Sequence, residues 1–186
     1  MAGSIIEIPV RTGSSSYNVY IGQSILGDCM DGNRFPAVDR IAIVASRRVY
    51  GLHRDNIDRH LVNSAKAELF LMDDCEENKS YAYAEAFLNG FIEKGLTRKS
   101  LVIGVGGGVV GDFAGYLSAL YMRGINMVHV PTTLLAMVDS SVGGKVAVNL
   151  GMGKNIAGAF HQPQMVVADL QFLSTLPDNE FRNGLA

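Results

Sequence analysis

The chain has 186 residues, 48% of them apolar, enough to bury a substantial core as one domain or as a domain with appendages. Its formal charge of -2, from 16 basic and 18 acidic residues with no run of Lys or Arg, argues against a nucleic-acid partner. No apolar run reaches the roughly 18 residues of a membrane-spanning helix, since the nearest, Phe113 to Met122, is broken by Gly115 and Ser118.

In chain order, Met1-Ala2-Gly3-Ser4 passes straight into a strand-like segment without a secretory leader. Cys29 and Cys75 stand alone and fit no metal-ligand spacing, so a soluble protein of the reducing cytoplasm is expected. Ile5 to Val10 and Tyr17 to Ile21 read as strands, with Gly13-Ser14-Ser15-Ser16 as the loop of an antiparallel hairpin. Arg40 to Ala45 is the continuous apolar kind of strand expected in a sheet covered on both faces, and a polar amphipathic stretch follows from Arg48 to Leu61. Ala67 to Met72 is a strand, and Ser80 to Glu93 a helix with Tyr81, Ala84, Ala86, Phe87 and Phe91 toward the core. Leu101 to Val105 is the next strand. Such alternation predicts parallel strands joined by crossover helices.

That last strand runs directly into Gly106-Gly107-Gly108-Val109-Val110-Gly111-Asp112 and then a helix. Gly106, Gly108 and Gly111 have the spacing of a dinucleotide fingerprint in the required context, but the acidic residue due about 20 positions on is missing. The segment is read as a diphosphate-binding turn in a sheet that differs from an ordinary Rossmann domain, against the alternative of a tight turn with no ligand. The helix that follows is apolar almost all round and should be buried, with Gly111, Gly115 and Ala119 as a ridge that admits a close neighbour. Asp112 either complements the helix macrodipole or touches a cofactor. After a strand at Asn126 to Val130, Pro131-Thr132-Thr133 offers hydroxyls where open α/β sheets bind ligands, one of them a candidate cap for a helix at Leu134 to Val138. Asp139, Lys145 and Lys154 are the only charges between Leu134 and Gly158, in two glycine-bearing loops that are not Walker motifs. Because desolvating an ion is costly, they are expected to form an anion site or an internal salt bridge. Met165 to Ala168 is a last strand, Asp169 to Leu176 a turn or short helix, and Asp178 to Ala186 the start of a helix whose pattern is incomplete.

Gly106 to Asp112, Tyr121-Met122-Arg123-Gly124, Val130 to Ala136, Val138 to Lys145, Gly153-Lys154-Asn155 and Thr175-Leu176-Pro177 together resemble the 3-dehydroquinate synthase family of the sugar-phosphate cyclase superfamily. The resemblance covers about Ala67 to Ala186. It implies a Rossmann-like, mostly parallel α/β domain with an N-terminal antiparallel hairpin over residues 1–177, and a helical second domain that begins at 178–186 and is otherwise absent. It also implies an enzyme of the shikimate pathway that uses NAD and a divalent metal, zinc or cobalt, to convert 3-deoxy-D-arabino-heptulosonate 7-phosphate into 3-dehydroquinate and phosphate. Carried over by position, Asp74, Glu76 and Lys79, the segment Gly107, Gly108, Val109, Val110, Gly111 and Asp112, then Thr132, Thr133 and Lys154, and the segment Phe172, Leu173, Ser174 and Thr175 resemble NAD contacts. Arg123, Asp139, Lys145 and Asn155 resemble substrate-facing residues, with Lys145 also assignable to the cofactor.

The chain departs from the family at Ser46 and Arg48, where an Asp and an Asn usually hold the adenosine ribose, which leaves NADP open. Cys75 stands where a Gly is customary. The resemblance places the metal ligands past Ala186, and His53, His60, His129 and His161 match no ligand position and are read as surface or core residues. A homodimer acting on a phosphorylated sugar acid is expected. Other readings are a cyclase for sedoheptulose 7-phosphate or glucose 6-phosphate, a metal-dependent polyol dehydrogenase, or, for these residues alone, a non-catalytic nucleotide-binding module.

Overall fold

The computed structural model describes residues 4–13, 15–31, 35, 37–151 and 153–186. Met1, Ala2 and Gly3, along with Ser14 of the first loop and Met152 of the second glycine loop, lie outside the described residues. In chain order the elements are β1 (Ile6–Arg11), β2 (Ser16–Gly22), α1 (Leu26–Cys29), β3 (Ile41–Ser46), α2 (Arg47–Ile57), β4 (Ala67–Met72), α3 (Tyr81–Glu93), β5 (Leu101–Gly106), α4 (Gly108–Leu120), β6 (Asn126–Pro131), β7 (Lys145–Leu150), β8 (Gly153–Phe160), β9 (Met165–Asp169) and α5 (Asp178–Asn183).

The most continuously apolar strand takes the centre. Every residue of β5 is buried, because it pairs in parallel with β3 on one side and β6 on the other while helices cover both of its faces. Among the described residues the main sheet has seven strands, in the order β1-β2-β9-β6-β5-β3-β4. Only β1 is antiparallel, and it forms the N-terminal hairpin with β2. This is the Rossmann-like, mostly parallel α/β architecture that the alternation predicts. One core, with Ile43, Ile103 and Val167 from the sheet, packs under α1 and α2. The other, with Val44, Val102 and Met127, packs under α3 and α4. The chain therefore leaves β3 on one face of the sheet and β5 on the other, and the crevice of a doubly wound sheet opens at their carboxyl ends.

Local chemistry sets the boundaries. Ser46 caps α2 by accepting from Val49 N–H at 3.2 Å, and Ser80 caps α3 by accepting from Tyr83 N–H at 3.3 Å. In α3 the buried stripe is Ala84, Phe87 and Phe91, and the Tyr83 ring packs on Phe113. Tyr81, at the first helical position, and Ala86 lie outside this stripe and are exposed, contrary to the expectation for them. Asp169 is fully buried at the end of β9, where its carboxylate accepts from the N–H groups of Ser24, Leu26 and Gln171 at 2.8, 3.0 and 3.0 Å. It thereby fixes the start of α1, an element the sequence did not signal.

The main correction concerns residues 145–160. Lys145 and Gly153 to Asn155, expected in loops at 139–145 and 151–155, lie instead in an antiparallel hairpin of β7 and β8, separate from the main sheet. Val146 and Val148 supply the alternation of a half-buried strand, hidden in the sequence by the flanking glycines and lysines, and Gly151 turns at φ +59°. The buried side of β7 packs on α4. The close neighbour that the small-residue ridge of α4 admits at Gly115 is β7, since a Cβ there would lie 2.2 Å from Val146 Cγ1. β8 is largely exposed, including Ile156 and Phe160.

Two measurements test this packing. Gly115→Ala is expected to destabilise the chain by about 1–3 kcal/mol in urea denaturation. Gly111→Ala, whose added carbon would lie 3.5 Å from His129 Nδ1, should be neutral or gain up to about 1 kcal/mol from the helix preference of alanine. His129 lies in β6, fully buried, and burial pushes its imidazole down to about 4. The folded chain resists a proton that the unfolded chain accepts below about pH 6.5, so this contribution is complete above that pH and is lost as pH falls toward about 4. The loss should be roughly 3 kcal/mol, and His129→Gln should flatten that part of the stability profile.

Candidate functional site

Two clefts open along the carboxyl ends of the parallel strands. The first, about 410 Å³, is lined by Arg48, Leu52 and His53 from α2, Asp74 past β4, Gly107, Gly108 and Val109 of the turn after β5, Thr132 and Thr133 past β6, and Phe172 and Thr175 past β9. The second, about 550 Å³, is lined by Asp112 of α4, Asp139 and Ser140, Lys145 of β7, and Asn155, Ile156 and Phe160 of β8.

The glycine turn is needed for close approach rather than for left-handed backbone. Gly107 caps α4 at φ -75°, in ordinary conformational space. A Cβ on Gly106 would lie 2.6 Å from the Val110 side chain, one on Gly107 3.0 Å from Thr133 Cγ2, and one on Gly108 3.2 Å from Ser140 Oγ. The first intrahelical bond runs from Gly111 N–H to Gly107 O at 3.0 Å, which leaves the N–H groups of the preceding turn without helical acceptors. Thr133 Oγ1 accepts from Ala136 N–H at 3.2 Å and so acts as the cap. Thr132 is buried, and its Oγ1 has no partner. Thr132 lines the same cleft as Gly107 and Gly108, and a buried hydroxyl without a partner calls for an explanation.

At the other edge, Ser46 Oγ donates to Asp74 Oδ2 at 2.8 Å and so braces a carboxylate on the lip of the first cleft. Ser46, where the family usually has an acid, thus holds one that arrives from β4. Arg48 lines the same cleft, while its neighbour Arg47 pairs with Asp73 at 2.9 Å.

The remaining expected nucleotide contacts separate. Val110 is fully buried beneath Gly106, and Gly111 lies on His129, so neither lines the cleft. Leu173 packs on the core and Ser174 Oγ donates to Gln171 O at 2.7 Å, both away from it. Lys154 is exposed on β8 and lines neither cleft. Arg123 follows the far end of α4 from the glycine turn, in a left-handed conformation at φ +68°, and also lines neither.

Asp139, Lys145 and Asn155 do come together in the second cleft, yet Asp139 and Lys145 are exposed and form no ion pair. The expectation that the three charges of this region are secluded is therefore corrected. Lys145 and Lys154 sit on a two-stranded ribbon that stands off the main sheet with one packed face, and Asp139 on the helical turn Ala136–Ser140, so the charges reach water. The secluded cation is Lys79. It is 4% exposed, its ammonium pairs with the Asp112 carboxylate, and it donates to Asn155 Oδ1 at 2.5 Å. Burial pushes the Asp112 carboxyl above its usual range, with Lys79 pulling the other way. Glu76, expected with Lys79 near a ribose, accepts from Asn149 Nδ2 at 2.9 Å, and Asn149 Oδ1 accepts from Asn155 N–H at 2.9 Å. Asp112 thus serves a third role, as counter-ion in a network that pins the hairpin to α4. The resemblance places Lys79 among the NAD contacts, but its seclusion was masked in the sequence by the charges around it from Asp73 to Glu77.

Among the described residues no three His, Cys, Asp or Glu side chains converge as a metal site, and none of the helices is long and apolar enough to cross a membrane. Of the histidines, His129 is core and His161 pairs with Ile125 O at 2.8 Å, whereas His53 lines the first cleft, where no motif placed it.

The sequence profile described as 3-dehydroquinate synthase N-terminal matches residues 69–183. The chain belongs to that family. It is 39% identical over 180 residues to the 3-dehydroquinate synthase of Shewanella sp. (strain MR-4), which covers 97% of this chain and 50% of the relative. It is 45% identical over 186 residues to the 3-dehydroquinate synthase of Pelotomaculum thermopropionicum, covering 96% and 49%. The chain spans about half the length of the curated relatives it matches. Among solved structures, 2-deoxy-scyllo-inosose synthase complexed with carbaglucose-6-phosphate, NAD+ and Co2+ superposes with a TM-score of 0.90 at 27% identity, over 97% of this chain and 50% of that one.

Removing the ammonium of Lys79 should leave Asp112 buried without a counter-ion. Lys79→Met is expected to cost about 3–5 kcal/mol in chemical denaturation, and Lys79→Met combined with Asp112→Leu should recover most of that loss.

Proposed function

We propose that this chain is the nucleotide-binding half of a 3-dehydroquinate synthase, which binds NAD in the first cleft and presents the second to a phosphorylated sugar acid. The observation that carries the reading is the glycine turn with the unpartnered Thr132 hydroxyl beside it. Support comes from the 39–45% identity to relatives of that name and from the NAD+ held by the superposing cyclase.

The residues fit NAD in kind. Peptide N–H groups at Gly108 and Val109 would hold the diphosphate at the positive end of α4. The Thr132 hydroxyl would donate to it, and the carboxylate of Asp74 would accept from ribose hydroxyls. NAD, when bound, supplies a reversible hydride acceptor. In the second cleft the Lys145 ammonium would neutralise an anionic group of the substrate, the Asp139 carboxylate would accept from a substrate hydroxyl, and the Asn155 amide, clamped by Lys79, would orient the sugar. Both clefts meet at α4, whose first turn lines one and whose Asp112 lines the other, so that oxidised carbon and cofactor can be neighbours. Among the described residues no three His, Cys, Asp or Glu side chains converge to hold a metal. The overall reaction proposed for the complete protein is the conversion of 3-deoxy-D-arabino-heptulosonate 7-phosphate to 3-dehydroquinate and phosphate. For the 186-residue chain alone the proposal is dinucleotide binding without turnover.

Calorimetric titration with NAD, NADH and NADP tests this directly. NAD should bind, and Thr132→Val should weaken it roughly tenfold through the lost hydrogen bond. A wild-type chain that is folded yet binds no dinucleotide would overturn the reading.

A further inference from the structure

One wall of the first cleft is organised by a histidine. α2 leaves helical geometry within its length at His53, with φ -124° and ψ 25°, and the side chain there is 9% exposed. His53 Nε2 lies 2.6 Å from Thr175 Oγ1, a residue 122 positions away, and its ring meets Phe172 edge-on with centroids 4.9 Å apart at 66°. Phe172 and Thr175 both belong to the short helical segment Leu170–Thr175 that follows β9, and all three residues line the cleft. Among the described residues the other bond of the Thr175 hydroxyl is the longer one it donates to Phe172 O at 3.4 Å. Burial pushes the imidazole below its usual value, with the charge of Asp169 opposing, so the ring is neutral near neutral pH and carries one donor and one acceptor nitrogen. Whichever partner gives the proton, the hydroxyl is left with a fixed direction for a further bond.

We propose that His53 is a positioning residue for the bound nucleotide, fixing the Thr175 hydroxyl and the Phe172 ring so that the segment after β9 is a preformed wall of the cleft. The inference rests on the dinucleotide reading of that cleft. A ligand meeting a preformed wall avoids the cost of ordering it, so the His53–Thr175 contact acts on affinity through the wall it holds.

Titrating the 186-residue chain with NAD, alongside urea denaturation of each variant, tests it. His53→Leu and Thr175→Val should each weaken NAD roughly tenfold. The double variant should be no weaker than either single one, because both break the same contact. His53→Gln, which keeps a hydrogen-bonding end, should restore most of the affinity, a rescue that a purely packing role would not give. Thr175 is exposed, so its variant reports even if His53→Leu does not fold. If folded wild-type chain binds no dinucleotide, the cleft reading falls and takes the His53 assignment with it. If wild type binds and Thr175→Val or folded His53→Leu binds equally well, or the two losses simply add, only the His53 assignment falls.

Discussion

The structure depends on how closely three side chains lie against three glycines. Val110 fits under Gly106, Thr133 over Gly107 and Ser140 over Gly108, each at a separation that a Cβ would close. Through these contacts the ends of β5 and β6, the start of α4 and the segment after β6 are drawn into one corner. The clefts are by-products of that corner: one lies toward α2 and the segment after β9, the other toward the hairpin. Bare backbone is therefore required twice, first by the packing of the protein on itself and then by any anion that approaches the exposed amides.

The second organising contact is ionic. The hairpin of β7 and β8 has its own two-stranded sheet and touches the rest of the molecule through Val146 and Val148 on α4 and through the chain Glu76, Asn149, Asn155, Lys79 and Asp112. A buried ammonium with a carboxylate on one side and an amide oxygen on the other is poor ground for large net stability. It is good ground for geometry, because each partner fixes the orientation of the next. Asn155 sits in left-handed backbone at φ +55°, held at both its N–H and its side chain.

The parts of the fold fixed by period and punctuation were legible in advance. The strands at 41–46, 67–72, 101–106, 126–131 and 165–169 carry continuous apolar runs, and α3 and α4 follow from capping at Ser80 and from glycine after β5. What escaped was set by partners distant in sequence. β7 alternates as a strand should, but Lys145 and the flanking Gly143, Gly144 and Gly151 outweighed Val146 and Val148, and only α4 reveals which face is buried. Seclusion of a charge depends on what covers it, so Lys145 and Lys154 looked isolated among small residues while Lys79, in an acidic run, was the one enclosed. His53 carried no motif, because its meaning is a contact with Thr175 made across the cleft. The absence of an acid at Ser46 read as a loss, and the bond that Ser46 makes to Asp74, a residue the resemblance places among the NAD contacts, became visible only once β3 and β4 stood side by side.

The ribbon of β7 and β8 has a further meaning for motion. Two strands alone are marginal in water, and this pair adds one packed face, one ionic clamp and a short backbone tie from Asn149 N–H to Lys79 O at 2.7 Å. Its opening free energy should therefore lie well below that of the seven-stranded sheet, as a separate cooperative unit. The first cleft is framed chiefly by segments rooted in the large sheet, whereas Lys145 and Asn155 ride on the softer piece. A guest in the second cleft would thus meet a surface that tightens around it, next to one that stays rigid.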